Sequence, residues 1–288
     1  MKNDMDNLEK VVCGDSDILF DELLKSEARF DLILTDPPYN LSKDFGNDSD
    51  KLPLPEFLTL TRERVEKCKC LLSDNGSLVW FGIHHYIGFI QTIMYEAGLH
   101  YRRMNIWHYE NGFSHTKNAP IAQYEPFLWF SKSPNKWTYN VDDVRIPYKS
   151  VQRLKTPVYY KTADGTKKKW EPNPLGAMRG DIWCFPTLAG KLYANERTDH
   201  PTQKPESLIT ALLKAFCPKS PEGKYEGRVL DPFHGSGTLG VCCEKLNAQG
   251  HHITWIGIEL EKKWCEVAQK RLDAVKGDNS LFGWSECT

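Results

Sequence analysis

The chain has 288 residues, 40% of them hydrophobic, and a formal net charge of −1. That is enough to bury one large α/β domain or two smaller ones, with no global basic field to advertise nucleic acid. No apolar run approaches the ~18 residues of a membrane span and the start Met1-Lys2-Asn3-Asp4 is polar, so a cytoplasmic protein that meets no membrane is expected. In chain order, Val11 to Asp15 reads as a short strand, and Ile18 to Leu24 as a helix with Ser16 as its N-cap. The run Phe30-Asp31-Leu32-Ile33-Leu34-Thr35 reads as a strand stopped abruptly by Asp36-Pro37-Pro38-Tyr39. Residues 40–53 are polar and serve either as a lid or as a connector. Phe57, Thr61, Val65, Cys68 and Leu72 recur at helical spacing from about Pro55 to Leu72, with Asn75-Gly76 as the stop. Ser77 to Gly82 follows as a buried strand, Tyr86 to Glu96 as a helix, then Arg103 to Tyr109 and Glu125 to Ser131 as a strand hairpin. That order is half of a doubly wound sheet with an antiparallel edge.

The second half repeats the alternation. After about Val141 the chain turns basic and aromatic without regular period: Arg145, Lys149, Arg153, Lys155, Lys161, Lys167, Lys168 and Lys169 are interleaved with Tyr148, Tyr159, Tyr160 and Trp170. Such a stretch suits a surface that meets phosphates and bases, and a solvated loop explains the lysines equally well. Beyond Thr198-Asp199-His200-Pro201-Thr202-Gln203-Lys204-Pro205, a helix starts at Glu206, a strand runs from Arg228 into Phe233, and a helix continues to about Leu246. Thr254 to Leu260 is a strand and Lys262 to Val275 an amphipathic helix. The nine cysteines include no C-x-x-C, and Cys68/Cys70 and Cys242/Cys243 stand too close for a zinc knuckle. Reduced thiols and no metal are expected.

Two stretches carry chemistry. At Asp36-Pro37-Pro38-Tyr39 a carboxylate, a proline carbonyl and an aromatic face stand on a stiff turn, able to accept hydrogen bonds from an NH2 group and to stack on a flat ring. The bland alternative is a Pro-Pro turn with a surface tyrosine. Gly235, Gly237 and Gly240 form G-x-G-x-x-G between a strand and a helix, with Glu259 at the end of the next strand. This is a nucleotide-binding βαβ unit. A pyrophosphate beside Asp231 would be repelled, whereas S-adenosylmethionine brings an ammonium that Asp231 can pair with, so the acid favours the methyl donor over NAD. Too little chain follows Glu259 to complete a sheet, so both halves must share one. The Asp15 strand then lies beside the Glu259 strand, where its Gly-Asp could approach an adenine amino group. The Asp36 strand lies on the other side of the Asp231 strand, about one cofactor away.

In this order, Asp36-Pro37-Pro38-Tyr39-Asn40, His200 to Pro205, Asp231-Pro232-Phe233-His234-Gly235-Ser236-Gly237-Thr238 and Ile256-Gly257-Ile258-Glu259 resemble the β-class DNA amino-methyltransferases over nearly the whole chain. The resemblance implies an α/β, circularly permuted Rossmann-like methyltransferase fold: a mixed, mostly parallel sheet with helices on both faces and an inserted target-recognition region. Residues 1–140 would be the catalytic half, 141–198 the target-recognition region and 199–288 the cofactor-binding half. By the same resemblance Asp231, Phe233, Gly235, Ser236, Gly237 and Thr238 line the cofactor's methionine end, Glu259 holds the ribose, and Thr202 and Lys204 meet the methionine carboxylate. Asp36 and the Pro37 carbonyl would hold the target amine and Tyr39 would stack on a flipped base. The implied reaction is S-adenosylmethionine-dependent methylation of adenine N6 in double-stranded DNA, since Asp at the first motif position goes mostly with adenine, and cytosine N4 is the alternative. The basic stretch becomes a DNA surface, with a cognate restriction endonuclease as a partner and a monomer or homodimer as the working form. The departures, His234 and Leu239, fall where no binding role is expected. An NAD-dependent oxidoreductase, a protein or RNA methyltransferase and a catalytically silent DNA-binding module are the readings from other classes.

Overall fold

A computed structural model describes residues 10–41, 50–111 and 117–278. Its strands are β1 (Val11–Cys13), β2 (Phe30–Thr35), β3 (Leu72–Phe81), β4 (His100–His108), β5 (Tyr124–Ser131), β6 (Val158–Lys161), β7 (Lys167–Trp170), β8 (Ile182–Cys184), β9 (Arg228–Asp231) and β10 (Thr254–Glu259). Its helices are α1 (Ser16–Lys25), α2 (Leu54–Leu71), α3 (Ile87–Glu96), α4 (Val151–Lys155), α5 (Glu206–Phe216), α6 (Thr238–Ala248) and α7 (Lys262–Asp278).

Among the described residues, eight strands form one sheet in the order β1-β10-β9-β2-β3-β5-β4-β8, and β6 and β7 pair apart as a hairpin. Only β5 runs against its neighbours; β8 joins the edge parallel to β4. The two halves meet as the missing-strand argument requires. β1 lies on β10, with Cys13 opposite Glu259, and β2 lies on β9, with Leu32 opposite Val229 and Ile33 opposite Leu230.

The continuous apolar runs of β2 and β3 are explained by burial on both faces. Leu32, Leu34, Val79 and Phe81 face a core built with α5, α6 and α7. Ile33, Leu78 and Trp80 face a second core built with α1, α2 and α3. The sheet is therefore covered on both sides, and only strand ends and their loops are left to build a site.

Three local expectations change. Asp15, not Ser16, caps α1: the Asp15 carboxylate accepts from the Asp17 N–H at 2.8 Å, while Ser16 is the buried first residue of the helix. The helix of the first half ends at Leu71, and Leu72 turns extended to pair with Phe30, so Asn75-Gly76 lies inside β3 rather than after a helix. Gly76 is small because a Cβ there would stand 2.9 Å from the Phe30 carbonyl. Finally, residues 141–198 are not without order: they supply the β6/β7 hairpin and β8, which stitches this region into the main sheet through Ile106 and Ile182.

Gly240 serves the packing of α6 on the sheet. A Cβ there would meet the indole of fully buried Trp255 at 2.4 Å. Gly240→Ala is expected to destabilise the fold by about 1–3 kcal/mol through overpacking, although Ala is the better helix former. A denaturant midpoint equal to or above that of the unsubstituted chain would contradict this.

Candidate active site

The parallel pairing of β2 with β9 brings two carboxylates to one edge of the sheet. Asp36 follows β2 and Asp231 ends β9. Between them opens a cleft of about 1070 Å³, its mouth included, lined by Asp36, Pro37, Pro38, Tyr39, Thr202, Lys204, Asp231, Phe233, Gly235, Ser236, Thr238 and Glu259. Ligands of open α/β sheets bind at such carboxyl ends.

The turn after β9 is held by its backbone. His234 N–H donates to the Ile258 carbonyl at 2.7 Å and Gly237 N–H to the His234 carbonyl at 3.0 Å. Gly235 (φ +53°) and Gly237 (φ +83°) both take the left-handed region, where a side chain would be strained. Gly237 sits behind the cleft against Ala268 and caps α6, while Gly235 lies under the His200 ring. Glu259 accepts from Gly235 N–H and Glu261 N–H, each at 2.8 Å, and burial raises its pKa. The Asp231 carboxylate accepts from Phe233 N–H at 3.2 Å.

Several participants lie outside the residues singled out from sequence. Arg271 on α7 donates to the Ser236 carbonyl (2.7 Å) and to Thr238 Oγ1 (3.1 Å), and its other arm pairs with Glu206 at 2.9 Å. It fixes the glycine loop from behind. His234, expected to have no binding role, has a fully buried side chain stacked on Trp255, with Nδ1 3.5 Å from Asp231 Oδ2. His200 packs edge-on against Trp264 at 4.7 Å.

The Asp36 end of the cleft is an ion network. Asp36 Oδ1 accepts from the Tyr39 hydroxyl and Oδ2 from the Lys204 ammonium. Glu125, at the start of β5, stands 3.2 Å from Lys204 Nζ and 3.0 Å from Tyr39 Oη. Lys204 is 6% exposed; burial lowers its pKa, but the Asp36 and Glu125 carboxylates outweigh that and hold it above the ordinary lysine value. Burial, then the same two carboxylates, push Tyr39 well above the ordinary phenol value. The ammonium read from sequence as a partner for the methionine carboxylate is thus engaged by two protein carboxylates; Thr202 lines the cleft beside it.

Other sequence-derived sites fall elsewhere. The Asp15 carboxylate caps α1 and is not among the residues that line the cleft. Arg145, read as a DNA contact, is spent internally on Asp142 (2.6 Å) and the Gly176 carbonyl (3.0 Å). Lys149, Lys155, Lys167, Lys168 and Lys169 are exposed, Lys169 pairing with Glu171 at 3.0 Å. The Arg153 side chain lies outside the described residues. So do residues 42–49, on which the lid-or-connector question mostly rests. The ends of that segment are tied together, Asn40 Nδ2 donating to the Leu52 carbonyl at 2.8 Å and Leu41 N–H to Asp50 at 3.0 Å.

Comparison with known proteins agrees with this geometry. Residues 30–270 match the family model of N6/N4 methyltransferases described as DNA methylase. The chain is 35% identical over 250 residues to the type II methyltransferase M.HpaI of Haemophilus parainfluenzae, covering 86% of this chain and 69% of that one. It is 34% identical to the type II methyltransferase M1.MboII of Moraxella bovis (85% and 90% covered) and 29% identical to the DNA adenine methyltransferase YhdJ of Escherichia coli (88% and 80%). Among solved structures, the M1.HpyAVI–SAM complex superposes with a TM-score of 0.62 at 22% identity (92% and 98% covered). The cytosine-N4-specific PvuII DNA methyltransferase also gives 0.62, at 15% identity (94% and 90%).

Burial, with Lys204 and Arg271 nearby and only Asp36 opposing, drives the His200 pKa down to about 4. Unfolded, the ring takes a proton near pH 6.5, so the unfolded state binds more protons than the folded one between about pH 6.5 and 4. Stability is full above that window and lost as pH falls through it. His200→Gln is expected to flatten the acid limb of the stability–pH curve; an unchanged slope in denaturant titrations across this range would contradict the assignment.

Proposed function

The chain belongs to the N6/N4 DNA methylase family, and on that premise we propose that it transfers a methyl group from S-adenosylmethionine to the N6 amino group of adenine in double-stranded DNA. The observation that carries this reading is the juxtaposition of the Asp36 turn with the Asp231 and Glu259 carboxylates in one cleft. Asp at the first position of the Asp-Pro-Pro-Tyr motif and the relative named as an adenine methyltransferase support adenine over cytosine.

The cleft's residues fit the cofactor. Asp231 offers a carboxylate for an ammonium, Glu259 offers two oxygens for vicinal hydroxyls, and the left-handed glycine turn lets the backbone come close. When bound, S-adenosylmethionine supplies an electrophilic methyl on a positively charged sulfur. The chain's task is to present the amine. An exocyclic amine is a poor nucleophile because its lone pair is delocalised into the ring. Asp36 and the Pro37 carbonyl accept its two N–H bonds, localise that lone pair and aim it across the cleft. The proton leaves after the nitrogen has become cationic, to the Asp36 carboxylate or to water. A duplex base reaches this turn only by flipping out, and Tyr39 is the ring it stacks on. A second cleft, lined by Tyr39, Trp107, Tyr109, Glu125 and Pro201, opens from the same turn and offers the way in.

For the duplex itself, the β6/β7 hairpin is the surface the reading assigns. Trp170 packs edge-on against Tyr148 at 5.7 Å, which ties one face of the hairpin to the body. Opposite pairs put Tyr159, Lys161, Lys167 and Lys169 on the other face. A basic face with one aromatic ring suits phosphate contact. The type II naming of two relatives supports a cognate restriction endonuclease as a partner.

Modified-base sequencing of DNA from cells expressing the protein is expected to report N6-methyladenine at one short sequence; N4-methylcytosine there would move the assignment to the cytosine reading. Asp36→Ala is expected to abolish tritiated-methyl transfer while calorimetric affinity for S-adenosylmethionine survives. Equal loss of both would remove Asp36 from the role of amine acceptor.

A further inference from the structure

The ion network poses a problem for the reaction. Both oxygens of Asp36 are already engaged, one by the Tyr39 hydroxyl and one by the Lys204 ammonium. An incoming amine has to share one of them with a donor already there, and an oxygen that accepts from an ammonium is the weaker acceptor for it. Positive charge also develops on the target nitrogen as the methyl arrives, and a buried ammonium beside it would oppose that charge. Lys204 as Asp36's own counter-ion would therefore weaken Asp36 twice, by competing for its oxygen and by offsetting its charge.

Glu125 answers both difficulties. It is the second carboxylate within reach of the same two donors, 3.2 Å from Lys204 Nζ and 3.0 Å from Tyr39 Oη. It comes from β5, while Asp36 follows β2, so the two carboxylates approach Lys204 from different elements. With Asp36 and Glu125 ionised and Lys204 protonated, the cluster carries one net negative charge. Glu125 lines the second cleft beside Tyr39, where a base would pass, and is neither part of the Asp-Pro-Pro-Tyr turn nor of the cofactor loop.

We infer that Glu125 is a positioning residue for methyl transfer: it takes over the Lys204 ammonium and the Tyr39 hydroxyl when the target amine arrives, leaving an Asp36 oxygen and the Asp36 charge for that amine. This rests on the reading of Asp36 as the amine acceptor. Lys204 in turn holds Asp36 in place until the base enters, its ammonium standing where an amine's N–H would otherwise donate. The pair Lys204–Glu125 thus sets the charge that the reacting nitrogen meets.

The test measures tritiated-methyl transfer to unmethylated genomic DNA, so that no recognition sequence need be known. Transfer by the unsubstituted enzyme that Asp36→Ala abolishes, with cofactor affinity kept, establishes the underlying reading; failure of that control would sink the reading rather than this inference. In Glu125→Gln, which keeps shape but removes the charge, kcat is expected to fall by about 10²-fold, a typical loss for one oriented electrostatic group. Affinity for S-adenosylmethionine by calorimetry should stay within about twofold. Glu125→Asp, which keeps the charge with a shorter reach, should retain most of the lost activity. In a Lys204→Met background the Glu125→Gln substitution should cost about threefold or less, because no ammonium is left to neutralise. The inference is overturned if Glu125→Gln leaves kcat within about threefold, if Glu125→Asp and Glu125→Gln lose activity equally, or if cofactor affinity falls as far as turnover. Should Lys204→Met abolish transfer on its own, the comparison of Glu125→Asp with Glu125→Gln decides the matter.

Discussion

Everything in the site depends on a short parallel contact between β2 and β9, in which Leu32 lies opposite Val229 and Ile33 opposite Leu230. Asp36 and Asp231 stand nearly two hundred residues apart in the chain, and this pairing delivers them to the same sheet edge. The pairing is specified from both faces at once. Leu32 and Val229 belong to one core, Ile33 and Leu230 to the other, so a slip of one residue would put each side chain in the wrong layer. Burial of an apolar run therefore fixes the separation of two polar groups that never touch.

Above that edge, electrostatics does the remaining arrangement. The Asp231 end is built from backbone and carboxylates: two glycines in the left-handed region, Asp231, and Glu259 accepting from two backbone N–H groups. The Asp36 end is built from side chains that compete for donors, with Lys204 and Tyr39 between Asp36 and Glu125. The first is rigid because its donors are main-chain atoms. The second can be redistributed without moving the backbone, because two acceptors compete for the same donors.

Much of this was legible in the sequence. Abrupt Pro-Pro termination after an apolar strand and a glycine pattern between strand and helix are local signals. What was missed depends on three-dimensional pairing. The α2/β3 boundary at Leu71 follows from Leu72 pairing with Phe30, which helical periodicity cannot see. Asp15 and Ser16 are adjacent cap formers, and only the backbone decides that the carboxylate turns onto its own helix instead of toward the cleft. Arg145 counted as one more basic residue until Asp142 and the Gly176 carbonyl claimed it. Glu125 left one faint signal, an acid at the head of the otherwise apolar run Pro126-Phe127-Leu128-Trp129-Phe130, but its meaning requires knowing that Lys204 arrives beside it.

In the proposed reading, one cleft holds the methyl donor against Asp231 and the acceptor amine against Asp36. A crystal structure of the protein with S-adenosylhomocysteine and a duplex carrying its target sequence tests this most directly. The amino acid moiety of the cofactor product is expected on Asp231, the ribose on Glu259, and an extrahelical adenine with its amino group donating to Asp36 and to the Pro37 carbonyl, facing the sulfur. A target base that enters elsewhere, or an amine that makes no contact with Asp36, would contradict it.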